Sequence, residues 1–204
     1  MCETLETIII ATKNKGKVKE FAHMFSKKGI QVKSLLDFEK DIEIEETGIT
    51  FQENAAIKAE AISSLINKVV IADDSGLVVD ALEGRPGVYS ARYAGEEKND
   101  QANLEKVLEE LKGVPYEQRT ARFVCALAVA IPNQKTEIVE GKCEGMITEE
   151  PKGEKGFGYD PIFYVPLKEK TMAEMDGEEK NTLSHRAQAL HELEKEWDRL
   201  LKQK

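Results

Sequence analysis

Two stretches of the chain carry the residue types of phosphoryl chemistry. The first reads Thr12-Lys13-Asn14-Lys15-Gly16-Lys17, three lysines in a loop ahead of a segment with helical spacing. The positive end of a helix dipole already favours anions, so each lysine there is disfavoured by about 0.3–1 kcal/mol unless something negative binds. A phosphate chain meets that need through free helix N–H groups, the lysine side chains, and Thr12 and Asn14 as neutral donors. A solvated lysine-rich turn has the same composition. The loop matches neither G-x-x-x-x-G-K-[ST] nor G-x-G-x-x-G, so a P-loop or dinucleotide fold is not indicated.

The second stretch is acidic. Asp73 and Asp74 end the apolar run 69–72, a place where open α/β sheets put reactive groups, and Ser75-Gly76 is expected to turn the chain away. Successive side chains of a strand point to opposite faces, so one of the two aspartates is expected to face a ligand. The plain alternative is an Asp turn capping its own backbone. Glu45 and Glu46 form a similar pair before a helix and by themselves read as a solvated strand end. Together the lysines and acids suggest a Mg²⁺ site, because Mg²⁺ takes one or two carboxylates plus phosphate oxygens and bridges an acidic protein to a triphosphate.

A third group lies further along. Gly153, Gly156 and Gly158 let backbone approach a ligand, Phe157 and Tyr159 offer planar surfaces for a base, and Asp160 offers a hydrogen-bonding group. Lys180, His185 and Arg186 follow. His185 also fits an ordinary surface histidine, and Arg186 fits a pairing with Glu179 or Glu192. His23 and His191 fall within amphipathic helices and receive no role.

The elements that must position these groups are legible from periodicity. Residues 7–11 are a β-branched strand, followed by a helix carrying Val18, Phe21, Ala22 and Phe25. The alternation of residues 41–45 predicts a half-exposed strand. Thr50 to Glu53 is a capping box for a helix with Ala55, Ala59, Ile62 and Ile66 on one side. Residues 69–72 predict a strand that breaks at residues 73–76 and resumes at 77–79. Residues 84–87 are a turn, and Asp100 caps a helix carrying Leu104, Val107, Leu108 and Leu111. Residues 121–131 and 136–143 predict a hairpin about Pro132-Asn133. After a brief strand at 162–165, Ser184 caps a last helix whose stripe is Ala187, Leu190, Leu193, Trp197 and Leu200. Strands and helices mix without strict alternation, which predicts an α/β fold: a mixed sheet with flanking helices, rather than a doubly wound one.

Composition removes other classes. The 204 residues carry 29 Lys and Arg against 38 Asp and Glu, a net charge of −9, which argues against a nucleic-acid polymer as partner. The three cysteines, Cys2, Cys125 and Cys143, form no C-x-x-C and have no histidine at zinc spacing. No apolar run approaches the roughly 20 residues that span a bilayer. The expectation is a protein without membrane contact, located in the cytoplasm, with no domain boundary inside residues 1–204.

Six motifs occur in order: Thr12-x-Asn14-x-x-Lys17-x-x-Glu20, Glu45-Glu46-Thr47-Gly48, Ala72-Asp73-Asp74-Ser75-Gly76-Leu77, Gly87-Val88-Tyr89-Ser90-Ala91-Arg92, Gly156-Phe157-Gly158-Tyr159-Asp160-Pro161 and Ser184-His185-Arg186. In them the chain closely resembles the inosine triphosphate pyrophosphatase family, the non-canonical purine nucleoside triphosphate pyrophosphatases, and its bacterial branch in particular. The resemblance covers the chain from first strand to last helix. It implies two lobes around a central cleft, a homodimer, Mg²⁺ dependence, and hydrolysis of ITP, dITP and XTP to monophosphate and pyrophosphate. It also implies roles: residues 12–17 as the phosphate loop, Asp74 as catalytic carboxylate and metal ligand, and Ser75 on the substrate; Asp74 or Asp73 is expected to orient the attacking water. Glu45 or Glu46 would be a further metal ligand, and residues 157–160, Lys180, His185 and Arg186 the base-binding wall.

A 6-keto purine presents an acceptor where adenine presents a donor, so donors such as His185 and Arg186 favour hypoxanthine and xanthine. Two rivals stand beside this reading. A Maf-type pyrophosphatase acting on pyrimidine or modified nucleotides would carry Ser and Arg in its opening loop, where this chain has Thr12, Asn14 and Lys17. A non-catalytic nucleotide sensor would have no use for Asp74.

Overall fold

The computed structural model describes residues 7–26, 29–39 and 42–201, with side chains as far as residue 196. Strand β1 (Thr7–Ile10) is a β-branched run whose three isoleucines are buried, as suits an inner strand. Helix α1 (Lys15–Ser26) returns the chain to β2 (Gln31–Ser34), burying Phe21, Met24 and Phe25 while Ala22 stays exposed. Helix α2 (Phe51–Ile66) opens on the expected capping box: Thr50 Oγ1 accepts from the Glu53 amide at 3.2 Å and Glu53 Oε2 accepts from the Thr50 amide at 3.1 Å. It ends at Asn67 in the left-handed conformation, and the chain enters β3 (Val70–Val79).

Strands β2 and β3 flank β1 on its two sides, both parallel to it, with Ile8 opposite Val32 and Ile10 opposite Ile71. The connections from β1 therefore diverge in opposite directions. That is the topological switch point of an open sheet, where the carboxyl ends of strands leave room for a ligand. The lysine loop leaves β1 at this point, and Ala11 N donates to Ile71 O at 2.8 Å, so the loop starts alongside the approach to Asp73 and Asp74.

Beyond β3 come a 3-10 segment at Gly87–Arg92, α3 (Asp100–Glu110), β4 (Thr120–Ala130), β5 (Glu137–Ile147), β6 (Phe163–Val165), β7 (Lys170–Thr171), α4 (Gly177–Leu183) and α5 (His185–Leu201). The sheet is mixed and seven-stranded, in the order β2-β1-β3-β4-β5-β6-β7, with β6 antiparallel to both β5 and β7. The chain divides into two compact units. One comprises the described residues of Met1–Asp74, Ala126–Val139 and Glu192–Lys204, and the other Ser75–Cys125 and Glu140–His191. In the second unit Leu77, Val79, Leu104, Val107, Leu111, Phe123, Ile147, Ile162 and Phe163 form one buried apolar cluster. Among the described residues no helix is long and apolar enough to cross a membrane.

Several local expectations are corrected. β3 runs unbroken through residues 73–76, because Gly76 lies against Ser90 and Gly87 rather than in a turn: a Cβ there would meet Ser90 Oγ at 2.3 Å. Residues 42–48 belong to no strand despite their alternation, and Asp41 lies outside the described residues. Asn99, not Asp100, caps α3, its Oδ1 accepting from the Ala102 amide at 3.0 Å. Strand β2 and helix α4 were not expected at all. Cys2 and the side chains of Trp197 and Leu200 fall outside the described set.

Candidate active site

In the first unit the lysine loop is built as a helix start. Asn14 Oδ1 accepts from the Lys17 amide and Thr12 Oγ1 accepts from the Asn14 amide, each at 3.1 Å. Asn14 is thus the helix cap in this geometry, and Thr12 holds the capping residue. Lys15 is exposed, Lys13, Gly16 and Lys17 are half-buried, and α1 has no acid in its first turn. Lys17 Nζ is ion-paired with Asp73 Oδ1, whose side chain is wholly buried.

Asp74, next along the strand, points elsewhere. Its Oδ1 accepts from Lys58 Nζ at 3.1 Å, and that ammonium also donates to Glu46 Oε1 at 2.7 Å and to the Asp73 carbonyl at 2.8 Å. Lys58 therefore stands where two carboxylates and a carbonyl converge. Burial would pull its ammonium below the usual lysine range, but Asp74 and Glu46 more than offset this and hold it above. Burial raises the Asp74 carboxyl, more than Lys58 and Lys17 lower it. Asp74 Oδ2 is buried with no hydrogen-bond partner among the described residues.

The loop carrying Glu46 is held in place by Gly48. Its amide donates to Asn54 Oδ1 at 2.8 Å, and a Cβ there would meet Glu53 Cβ at 2.6 Å and Asn54 Oδ1 at 2.7 Å. Glu46 is half-buried against Lys58, whereas Glu45 is exposed. Between the two candidate ligands, the geometry favours Glu46. No three His, Cys, Asp or Glu side chains form a ready-made metal cage among the described residues. What the site offers is two carboxylates, one with an unsatisfied buried oxygen, which fits a cation completed by ligand oxygens.

The second unit holds the aromatic group. Phe157 lies under two cations, Lys180 Nζ at 5.5 Å and Arg186 Cζ at 6.0 Å from the ring centroid. Asp160 is buried and does not present a bare carboxylate: its Oδ2 accepts from the Phe157 amide at 2.9 Å and from Lys180 Nζ at 2.8 Å. Gly158 donates its amide to Asp100 Oδ2 at 2.9 Å, so its part lies in conformation, with φ at +60°. Tyr159 is buried with its hydroxyl donating to the Ser90 carbonyl at 2.7 Å. His185 is no surface histidine; it is 8% exposed and stacks on Phe123 at 4.8 Å. Arg186 is 1% exposed and donates to Ser75 Oγ at 2.9 Å, at the residue after Asp74.

Lys58 was missed by sequence reasoning, although a signal was present. On α2 it sits at the spacing of the buried stripe, three residues after Ala55 and four before Ile62, so it is a charge written into an apolar face. Such a lysine is tolerated only with buried acids waiting for it.

The comparisons with known proteins agree in one direction. The Ham1 family pattern matches residues 8–196. A dITP/XTP pyrophosphatase of Geobacillus kaustophilus is 62% identical over 197 residues, covering 97% of each chain. That of Bacillus subtilis is 63% identical over 191 residues, covering 94% of this chain and 96% of its own. Among solved structures, the Staphylococcus aureus Ham1 protein has a TM-score of 0.84 at 45% identity, with 95% of this chain and 99% of that one covered. A HAM1 protein from Coxiella burnetii gives 0.83 at 41%, with coverages of 95% and 98%.

Proposed function

This chain belongs to the Ham1 family, and from that premise and the geometry above we propose that it hydrolyses non-canonical purine nucleoside triphosphates, ITP, dITP and XTP, to the monophosphate and pyrophosphate. The reading extends to the whole described chain working as a single pyrophosphatase domain, as a homodimer in the cytoplasm. The observation that carries it is the juxtaposition, within one unit, of a lysine-rich helix start with Asp73, Asp74, Glu46 and Lys58.

Asp74 and Glu46 are the residues that would hold Mg²⁺, and the bound ion would neutralise and polarise phosphate oxygens. Asp74 orients the attacking water towards the α-phosphorus and takes the proton that the water loses. A new bond forms from the water oxygen to the α-phosphorus as the bond to the bridging oxygen breaks, and pyrophosphate departs. Lys13, Lys15, Lys17 and the α1 amides face the charge that accumulates on that leaving group. Asp73 acts through Lys17, which it holds in place. Phosphoryl transfer needs positioning and charge stabilisation above all, so no nucleophilic side chain is required.

In the second unit Phe157 offers its ring to the purine while His185 and Arg186 offer donors to the 6-keto oxygen, which adenine's amino group cannot match. Ser75 braces Arg186. The deciding experiment measures product identity with dITP, XTP, dGTP and dATP, with and without Mg²⁺. Pyrophosphate from dITP and XTP, and far less from dGTP and dATP, is expected. Orthophosphate as product would redirect attack to the γ-phosphorus and overturn the mechanism, and tight binding without product would make the protein a sensor.

A further inference from the structure

The loop that carries Phe157 is held by more groups than a surface loop needs. Gly156 and Gly158 both have positive φ, at +81° and +60°. A Cβ on Gly156 would meet Asp160 Oδ2 at 2.0 Å, so only glycine fits against that carboxylate. The Phe157 amide is bound by Asp160 and, one residue on, the Gly158 amide is bound by Asp100. Tyr159 is then anchored on Ser90. Three consecutive residues are each fixed by a separate partner, and two of the bonds are charge-assisted, the stronger kind.

Asp100 is available for this task because of how α3 begins. Asn99 performs the capping, leaving the carboxylate of the first helical residue to reach across 58 positions of sequence to Gly158. An acid is favoured at that helix position in any case, so stability alone would explain an Asp there but not its bond to a distant glycine amide. The bond falls on the outgoing peptide of Phe157, at a glycine with no side chain to restrain it. That bond ties the backbone just after the ring to the start of α3.

We propose that Asp100 is a positioning residue for base recognition, its carboxylate holding the Gly158 amide and thereby setting where Phe157 presents its ring to the purine. The proposal rests on the reading that Phe157 belongs to the base-binding wall. Its effect is on binding of the base rather than on the chemical step, since its bond is to the loop that carries Phe157.

The test compares the wild type with Asp100→Ala, Asp100→Asn and Asp100→Glu. The alanine variant should raise KM for dITP about tenfold with kcat held within about twofold, because binding energy and not transition-state chemistry is removed. Hydrogen exchange over residues 156–160 should quicken in the same variant without substrate. Asparagine keeps an acceptor at the same reach and should restore both readouts, whereas glutamate keeps the helix-end charge but displaces the oxygen and should not. Unchanged KM and unchanged exchange in Asp100→Ala overturn the proposal, as does a glutamate variant that behaves like wild type. If the alanine protein does not fold, the glutamate and asparagine pair still decides the matter. Failure of the wild type itself to release pyrophosphate from dITP would count against the proposed function instead, and the exchange measurement would still judge Asp100.

Discussion

Lys17 Nζ is ion-paired with Asp73 Oδ1, so the last lysine of the loop after β1 is tied to the first acid of β3. Asp74, one residue later, meets Lys58 instead. Two adjacent carboxylates thus serve two different lysines, as the alternation of side chains along an unbroken strand requires. Asp73 is fully committed to the interior, while Asp74 retains an unsatisfied oxygen. The division of labour between them has separable consequences.

Asp73→Asn should weaken phosphate binding through Lys17 rather than abolish turnover. Expected are a KM for dITP raised about tenfold and a residual kcat well above that of the Asp74 variant. Removing one partner of a buried pair also destabilises, by about 3 kcal/mol, visible as a lowered Tm. A kcat as low as that of Asp74→Asn would make Asp73 part of the chemistry itself.

Asp74→Asn should lose about 1,000-fold in kcat, the scale of removing a principal charged group from a reaction site. Its stability should move the other way. Burial holds the Asp74 carboxyl above its ordinary value, so the folded chain binds that proton more tightly than the unfolded one. Such a group favours folding below the unfolded value, and the benefit is lost as pH rises through the folded value. Ionised Asp74 therefore costs stability at neutral pH. In chelator at neutral pH the Asn variant should melt higher than wild type, and the difference should vanish as the pH falls to the ordinary Asp value. A lower Tm at neutral pH would contradict the assignment of the shift to burial.

Lys58→Met should cost about 3–5 kcal/mol, because it leaves Asp74 and Glu46 facing each other without their shared cation. The folded chain holds the Lys58 proton more tightly than the unfolded one, so its stabilising effect is present at neutral pH and is lost as pH rises through the folded value. The Tm gap between variant and wild type should accordingly narrow as the pH rises beyond the ordinary lysine range. Denaturation series at several pH values check this, and a gap independent of pH would assign the loss to packing of the side-chain stem.

The parts of this arrangement that could be seen in advance are the local ones. Lysines at a helix start, paired acids after an apolar run, and a glycine loop with aromatics are all visible in one dimension. The capping box at Thr50 and the mixed sheet followed from the same kind of reading. What escaped depends on partners distant in sequence. Lys58 makes sense only once Glu46 and Asp74 surround it, and residues 73–76 looked like a turn because the closeness of Ser90 to Gly76 cannot be read from either segment. Asp100 looked like a cap because Asp is a good cap, yet Asn99 took that role and freed it for Gly158. The acid and Ile alternation of residues 41–45 promised a strand, but residues 42–48 instead run to Gly48, where the backbone fits against Asn54 to deliver Glu46.

Cys143 offers a check on burial in the second unit. Burial, with the Glu144 charge adding to it, pushes its thiol up to about 11. At pH 8 roughly one molecule in a thousand would carry the reactive thiolate, against about one in four for an ordinary thiol. Cys125 is fully buried. In a Cys2→Ser protein, a disulfide reagent at pH 8 should therefore find no reactive thiol within minutes while the chain is folded, and two after denaturation. Rapid reaction of the native protein would show that β5 opens around residue 143.

The two glutamates separate most cleanly by their cation dependence. Glu46 is half-buried and bound to the same ammonium as Asp74, whereas Glu45 is exposed. Glu46→Gln should weaken Mg²⁺ binding by about tenfold or more, since changes even to the partners of metal ligands cost 10–100-fold. Glu45→Gln should match wild type. Calorimetric titration of Mg²⁺ into each protein with a non-hydrolysable dITP analogue present reads this without relying on turnover. Activity assays should follow, the Glu46 variant recovering part of its kcat at raised Mg²⁺ and the Glu45 variant needing no such help. Were the Glu45 variant the one to lose its cation, the loop at residues 42–48 would have to rotate on binding so that the exposed glutamate turned inwards, and the contact between Glu46 and Lys58 would belong to the free state alone.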